Sequence, residues 1–288
     1  MQAVAAWLVA RPQNAVLGLA VTLLLPAPQL TSGVIMVLLV LGHGLKLAVI
    51  EGSIAASVLL TVSLLLGISI DSIAMLMAAT WVPVLLLAVL LLGSRSLTLT
   101  MQVSVIVAIL AMMVFFIVVP DPIAFWQPYM DTMAELVKQN NLQLNMELLS
   151  AEVMTVSAVL AFWMLYTVGL LLGYALYRRL PQETVDFGRF REFDFGRVIA
   201  MAMALAALLA FVVEADWLQN LAFVLFVTFW IQGLAIVHWM HGEGQLPLAA
   251  VIAVYALLPI LQVLLMTVLA VFGYADAWFG FRRRMKKV

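Results

Sequence analysis

The fold class of this chain is decided by SIAMLMAATWVPVLLLAVLLL, residues 72–92, an apolar run that contains no charged side chain. A helix of about 20 apolar residues spans a bilayer core about 30 Å thick. Similar runs recur along the chain, which is 66% hydrophobic and 10% charged, whereas soluble domains average about 45–50% apolar and about 25% charged residues. We therefore predict one integral membrane domain over residues 1–288. It is expected to be an all-α, polytopic transmembrane helical bundle of about eight to ten spans.

Apolar runs on both sides of this stretch give the remaining candidate spans. They cover residues 14–30, 33–50, 54–70, 99–119, 153–177, 198–213, 218–239 and 246–281. The polar triplet Glu51-Gly52-Ser53 and the pair Asp71-Ser72 are predicted to form the turns between the second, third and fourth spans.

Two polar intervals set the expected topology. Residues 120–152 carry several acids and a single cation, Lys138, whereas residues 177–197 are rich in arginine. Because cytoplasmic loops are enriched in Lys and Arg, we expect a cytoplasmic basic loop at 177–197 and an external amphipathic segment at 120–152. The external segment is interpreted as a helix resting on the membrane surface, with a lid over an external binding site as the alternative.

The C-terminal stretch 246–281 departs from this regular scheme. As one helix it would be about 54 Å long at 1.5 Å per residue, and it would place the cationic tail from Arg282 to Lys287 outside. Pro259 lies within the stretch, where a helix kinks or breaks. A hairpin near Pro259 would return the tail to the cytoplasm, which is the arrangement we favour. A long helix with an interfacial end would not.

Composition and motifs exclude several classes of function. The net charge of −1 lacks the basic excess that nucleic-acid binding needs, so we expect no nucleic-acid partner. The chain has no cysteine, which excludes thiolate metal sites and cysteine nucleophiles. No GxSxG, HExxH or GxxxxGK pattern is present, so we predict neither an enzyme nor a cofactor. Transport by this chain would therefore use a separate ATPase or an ion gradient.

Polar residues inside the predicted spans are candidates for a binding site, because a charge at mid-bilayer costs about 2.5–3.5 kcal/mol. His43 and Lys46 are three residues apart and would share a helix face, with Glu51 near the same end of the span. Together they would form a polar or proton-linked site. The alternative is that Lys46 extends to the cytoplasmic interface while Glu51 belongs to the following turn.

The penultimate span carries three further candidates for solute binding, Asn220, Gln232 and His238. The favoured interpretation of such amides and imidazoles is hydrogen bonding between helices. His238 and His241 also have i, i+3 spacing, but two histidines are a weak metal signal, and we predict no metal site.

The C-terminal third carries a distinctive order of motifs. These are NLAF at 220–223, QGLAIVH at 232–238, GQLP at 244–247 and GYADAWFGFR at 273–282, preceded by HG at 43–44, RSL at 95–97 and FREF at 190–193. Their order resembles the YybS-like family of bacterial integral membrane proteins, a family of unknown function. Two positions depart from the family pattern: Gly280 stands where a second acid is usual, and the loop before Leu246 is not basic.

The resemblance implies a multi-pass protein of the bacterial inner membrane. Family members are similar to the substrate-binding (S) components of energy-coupling-factor transporters, which work with a membrane scaffold and separate ATPase subunits. It also singles out a closing motif, formed by Gly273, Asp276, Trp278, Phe281 and Arg282. What it implies for function is a small-molecule-binding membrane domain, by analogy between folds.

Two functional hypotheses follow. The first is a small-molecule transporter, or the substrate-binding subunit of one, in the lipid bilayer. The second is a non-transporting membrane protein that assembles or regulates a partner complex through the basic loop at 177–197 and the cationic tail. A membrane-embedded enzyme is the least favoured, because the sequence shows no nucleophile–base or metal constellation.

Overall fold

The structure is a computed structural model that describes residues 2–139, 151–181, 184–213 and 216–285. Its helices are α1 (Gln2–Ala10), α2 (Pro12–Leu23), α3 (Pro28–His43), α4 (Leu45–Leu65), α5 (Ile70–Ser94), α6 (Leu97–Val118), α7 (Pro122–Gln139), α8 (Ala151–Tyr177), α9 (Gly196–Val213), α10 (Asp216–Gly242), α11 (Leu248–Leu257), α12 (Gln262–Phe279) and α13 (Phe281–Met285), with a 3-10 turn at Phe190–Glu192. The described residues contain no strand. The prediction of an all-α bundle is therefore confirmed.

Seven of these helices are long and apolar enough to cross a membrane. They are α4, α5, α6, α8, α9, α10 and α12. Counting α1 and α2, which are bent by 117°, as one broken span gives up to eight, the lower end of the predicted range. The chain is a multi-pass membrane protein whose apolar helices contact lipid.

The helix boundaries correct two predicted turns. Glu51-Gly52-Ser53 lies inside α4, and the chain breaks earlier, at Gly44, where α3 ends. The φ of Gly44 is +84°, a left-handed conformation that glycine adopts without the strain that a Cβ brings. Asp71-Ser72 lies in the first turn of α5, because Ser69 is already the N-cap of that helix.

The predicted break near Pro259 is confirmed. Helix α11 ends at Leu257 and α12 begins at Gln262, so Pro259 lies between them. Proline lacks the backbone N–H that a continuous helix would need there. The side of the membrane on which the tail lies stays a prediction.

The first compact unit comprises Met1–Met101 and Met164–Phe190. Helix α3 is its centre, since every residue from Ser32 to Leu41 is buried. The Ser32 hydroxyl donates to the carbonyl of Leu19 (2.9 Å) and accepts from the indole Nε1 of Trp81 (2.8 Å). These bonds satisfy polar groups that the apolar interior would otherwise penalise.

The second compact unit comprises Gln102–Trp163 and Arg191–Val288. Within it α10 packs against α9 and α12. The predicted amphipathic segment is helical over α7, where none of the residues is buried, and the indole of Trp126 donates to Thr155 (2.8 Å). Residues 140–150 of that segment lie outside the described residues.

Candidate functional site

Helices α10 and α12 cross with their backbones in contact. A Cβ on Gly233 would overlap the carbonyl of Leu269, and a Cβ on Gly273 would overlap the carbonyl of Phe229. Small residues at such crossings let helices approach closely. The crossing fixes the position of Gln232, which precedes Gly233 and is fully buried.

The Gln232 side chain joins three segments of the unit. Its Oε1 accepts from the backbone N–H of Phe195 (2.8 Å), and this contact sets which end of the amide is oxygen, because an N–H can only donate. Its Nε2 donates to Oδ1 of Asp194 (3.1 Å) and to Oδ2 of Asp276 (3.2 Å). Gln232 therefore links α10 to α12 and to the segment before α9, with all its polar atoms bonded.

A buried ion pair between Asp276 and Arg282 completes this network. Nε and Nη2 of Arg282 donate to Asp276 Oδ2 at 2.9 and 2.7 Å, and its backbone N–H donates to Oδ1 at 3.2 Å. The guanidinium also donates to the carbonyls of Arg191 (2.9 Å) and Phe193 (2.8 Å). Gly280, with a φ of +59°, is the left-handed C-cap that ends α12, and two residues later Arg282 contacts Asp276. A buried ion pair needs such extensive bonding to offset the loss of hydration.

A cavity of about 120 Å³ lies beside the network. Its lining consists of three arginines, three acids, an indole and a glycine: Arg191, Arg282, Arg283, Glu192, Asp194, Asp276, Trp239 and Gly280. At the rim, the largely exposed Arg283 donates to Oδ2 of Asp194 at 2.7 Å. Charged side chains of the segment before α9 thus meet the C-terminal ends of α10 and α12 around one small space.

Four candidate residues meet in this network. They are Gln232, Gly273, Asp276 and Arg282. The other two residues of the closing motif lie outside it. Trp278 makes an edge-to-face contact with Tyr274, and Phe281 stacks on Phe279. The closing motif therefore divides into a polar half that builds the site and an aromatic half that packs beside it.

Asn220 and His238 do not line the cavity. Asn220 is half-buried near the start of α10. Nε2 of His238 lies 2.8 Å from the hydroxyl of Tyr255 in α11. This imidazole therefore forms a hydrogen bond between helices, as the favoured interpretation of the sequence predicted. Nδ1 of His241 lies 2.9 Å from the carbonyl oxygen of Leu246. Both histidines therefore have other partners than a metal ion.

In the first unit, His43 pairs with Glu51 and not with Lys46. Nδ1 of His43 lies 3.0 and 3.2 Å from the two carboxylate oxygens of Glu51, and Nε2 lies 3.0 Å from the carbonyl oxygen of Val9. The predicted shared face of His43 and Lys46 is wrong, because Gly44 ends α3 between them and Lys46 lies exposed on α4. Glu51 is 3% exposed inside α4, so it is not a turn residue.

The partners of the two ring nitrogens separate their roles. A carbonyl only accepts, so Nε2 of His43 donates to Val9. Nδ1 is the ring nitrogen that bonds the Glu51 carboxyl, and the pair links the end of α3 to α4.

Asp194, Arg191 and Trp239 were missed as site residues by the sequence analysis. Asp194 lies between Phe193 and Phe195, both of which are fully buried, with their rings in edge-to-face contact at 4.6 Å. An acid between two aromatic residues next to the FREF motif was the available signal. The hydrogen-bond partners of Asp194 lie far along the chain, and no local sequence pattern predicts them.

The loop after α8 is held by another polar cluster, which includes Tyr174 from the last turn of that helix. The hydroxyl of Tyr174 accepts from the backbone N–H of Phe187 (2.8 Å) and lies 3.1 Å from Oδ1 of Asp186, which also accepts from the N–H of Gly188 (2.9 Å). The bond from Gly188, with the Tyr174 hydroxyl and the Arg178 charge, lowers the pKa of the Asp186 carboxyl below its ordinary value.

No protein-family model matches the chain, and neither the curated proteins nor the solved structures contain a match. A function for this protein is therefore argued from the residues of its site.

Proposed function

We propose that this membrane protein binds a small solute in the cavity beside Arg282, and that it is a transporter or the substrate-binding subunit of one. The supporting observation is the cavity of about 120 Å³ with a charged lining. An ionisable residue within a membrane-spanning helix is a functional candidate by default, because its burial is costly. Asp276 is such a residue, since it lies in α12 and is 2% exposed.

The network gives the cavity a fixed shape. Gln232 and Arg282 together hold α10, α12 and the segment before α9 through bonds to side chains and to backbone carbonyls. Side chains fixed in this way do not have to be ordered when a ligand arrives, which improves binding. A network that only joined helices would need no cavity between its charged side chains. The presence of the cavity therefore favours a binding site.

Energy for transport would come from outside the chain. The sequence has no GxxxxGK phosphate loop, so the proposal includes separate ATPase and scaffold subunits or an ion gradient. Of these we propose the first arrangement, in a bacterial inner membrane, which is what membership of the YybS-like family would imply.

The test is native mass spectrometry of the protein, extracted gently from its own membrane. We expect a stoichiometric non-lipid ligand, with or without co-purifying ATPase subunits. Bound lipid together with an unrelated protein, and no solute, would contradict the proposal.

The second candidate function, assembly or regulation of a partner complex, is favoured by exposed cations. Arg197 and Arg284 are exposed and belong to the basic loop and the tail. If they dock a partner protein, replacing both with glutamine releases the co-purified protein. Retention of the same protein would remove this alternative.

A further inference from the structure

Some of the charged side chains that line the cavity have ion-pair partners and others do not. Arg282 is bonded to Asp276 and Arg283 to Asp194. Two charged residues of the lining remain, the half-buried Arg191 and the exposed Glu192. The guanidinium of Arg191 has no hydrogen bond or ion pair with any residue in the part of the chain that the structure describes. Since a guanidinium has five N–H donors and no acceptor, the half-buried side of the cavity offers unused donors.

Arg191 is held in place although its guanidinium has no partner among the described residues. Its backbone carbonyl accepts from Nη1 of Arg282. Its side chain lies against the C-terminal end of α10, because a Cβ on Gly242 would lie 2.5 Å from Nη1 of Arg191. The missing side chain at Gly242 therefore provides the space that the guanidinium occupies.

Trp239 adds a second unused donor. It lies in α10 one turn before Gly242, lines the cavity and is 2% exposed. Its indole Nε1 has no hydrogen-bond partner among the described residues. Because an indole N–H only donates, and because a buried donor without a partner is unfavourable, it too favours a ligand that brings acceptors.

We infer that Arg191 and Trp239 form a site for an anionic group, a carboxylate or a phosphate, within the cavity. The volume of about 120 Å³ is several times the roughly 10–15 Å³ that one water needs, so the space admits a small anionic group. Carboxylates and phosphates match a guanidinium through two parallel hydrogen bonds. The inference rests on the proposed function and gives the ligand class of the same site. The anionic group belongs either to a soluble solute or to a lipid headgroup.

The test is calorimetric titration of the purified protein in a neutral detergent. The probes are inorganic phosphate, acetate and short-chain phosphatidylglycerol, with short-chain diacylglycerol, which lacks the phosphate, as the uncharged reference. We expect saturable binding of at least one anionic probe and about tenfold or greater weakening in Arg191→Gln, since bonds to charged groups are the strong ones. Binding of phosphate or acetate indicates a soluble solute, and binding of phosphatidylglycerol alone indicates a headgroup.

Two matched controls separate the site from general charge and aromatic effects. Arg189→Gln removes the same charge two residues away, at an exposed position outside the lining. Trp230→Phe removes another buried indole N–H of the same helix, one that has no hydrogen-bond partner among the described residues and does not line the cavity. We expect Trp239→Phe to weaken binding several-fold and both controls to leave it unchanged.

Gly242→Ala tests the geometry without changing any charge. The new methyl group would lie where the guanidinium of Arg191 lies, so we expect anion binding to weaken while helix content is kept. Equal binding by Arg191→Gln and Arg189→Gln, or no binding of any anionic probe, overturns the inference. If a native solute is retained equally with and without Arg191, the proposed function stands and the anion site is wrong. If anionic lipid binds through Arg191 and no solute is found, the anion site stands and the proposed function is wrong.

Discussion

The two buried polar centres of this protein differ in how many segments they join. The Arg282 guanidinium donates to Asp276 and also to backbone carbonyls of the segment before α9. Among the described residues, His43 and Glu51 bond to each other, and the other ring nitrogen of His43 bonds to the carbonyl of Val9. The comparison indicates that the first centre holds several segments around a cavity, whereas the second is a self-contained pair.

The largest expected effect comes from two adjacent arginines that each donate to an aspartate at 2.7 Å. The side chain of Arg282 is 8% exposed and that of Arg283 is 79% exposed. Arg282→Gln leaves Asp276 buried with its main partner lost, so we expect it to cost about 3–5 kcal/mol of unfolding free energy. Arg283→Gln removes a surface pair and is expected to cost less than about 1 kcal/mol. Denaturant titration in detergent measures both unfolding free energies. Equal losses would show that the buried pair of Arg282 and Asp276 contributes no more to stability than the surface pair of Arg283.

The second largest loss of stability is expected at the contact between α10 and α12. Gly273→Ala forces a methyl group into the carbonyl of Phe229, and overpacking of this kind costs about 1–3 kcal/mol. Gly93→Ala is the control, because nothing lies within 4 Å of its Cβ position and α5 gains helix propensity. Thermal unfolding followed by circular dichroism compares them. A Gly273→Ala protein as stable as wild type would mean that the backbones of α10 and α12 do not touch.

For the pair of His43 and Glu51 we expect a smaller loss of stability, which the two residues share. His43→Gln and Glu51→Gln each break the same contact, so the double variant should be about as stable as either single one, with a coupling energy of about 1 kcal/mol. A double-mutant cycle on unfolding free energies tests this. Additive losses would show that His43 and Glu51 act independently.

The smallest expected loss of stability is at Asp186, and it depends on pH. Its pKa is lowered in the folded protein, chiefly by the backbone hydrogen bond from Gly188. The resulting stabilisation is present above the carboxyl's unfolded pKa and is lost as pH falls through the folded one. Since the side chain is 55% exposed, we expect a difference of a few tenths of a kcal/mol, about the size of a surface pair. Asp186→Asn should be slightly less stable than wild type at neutral pH and equal to it in acid, and a constant difference would argue against the assigned cause.

Hydropathy predicted the helical bundle well because each span must be apolar by itself. It placed the break between α3 and α4 at Glu51-Gly52-Ser53 since a charge there looked like a turn, whereas Glu51 is buried because His43 pairs with it. Gln232 and Asp276 were both candidates, but they are 44 residues apart in sequence. Their contact depends on the crossing at Gly233 and Gly273, which no local pattern specifies.

The most direct test of the central claim compares native mass spectra of wild type and Arg191→Gln, extracted side by side from the same membranes. The account predicts that wild type retains a stoichiometric acidic solute and that the variant, equally folded, has lost it. A solute retained equally by both would contradict the claim that Arg191 binds it, and a solute found in neither would contradict the proposed binding of a small solute.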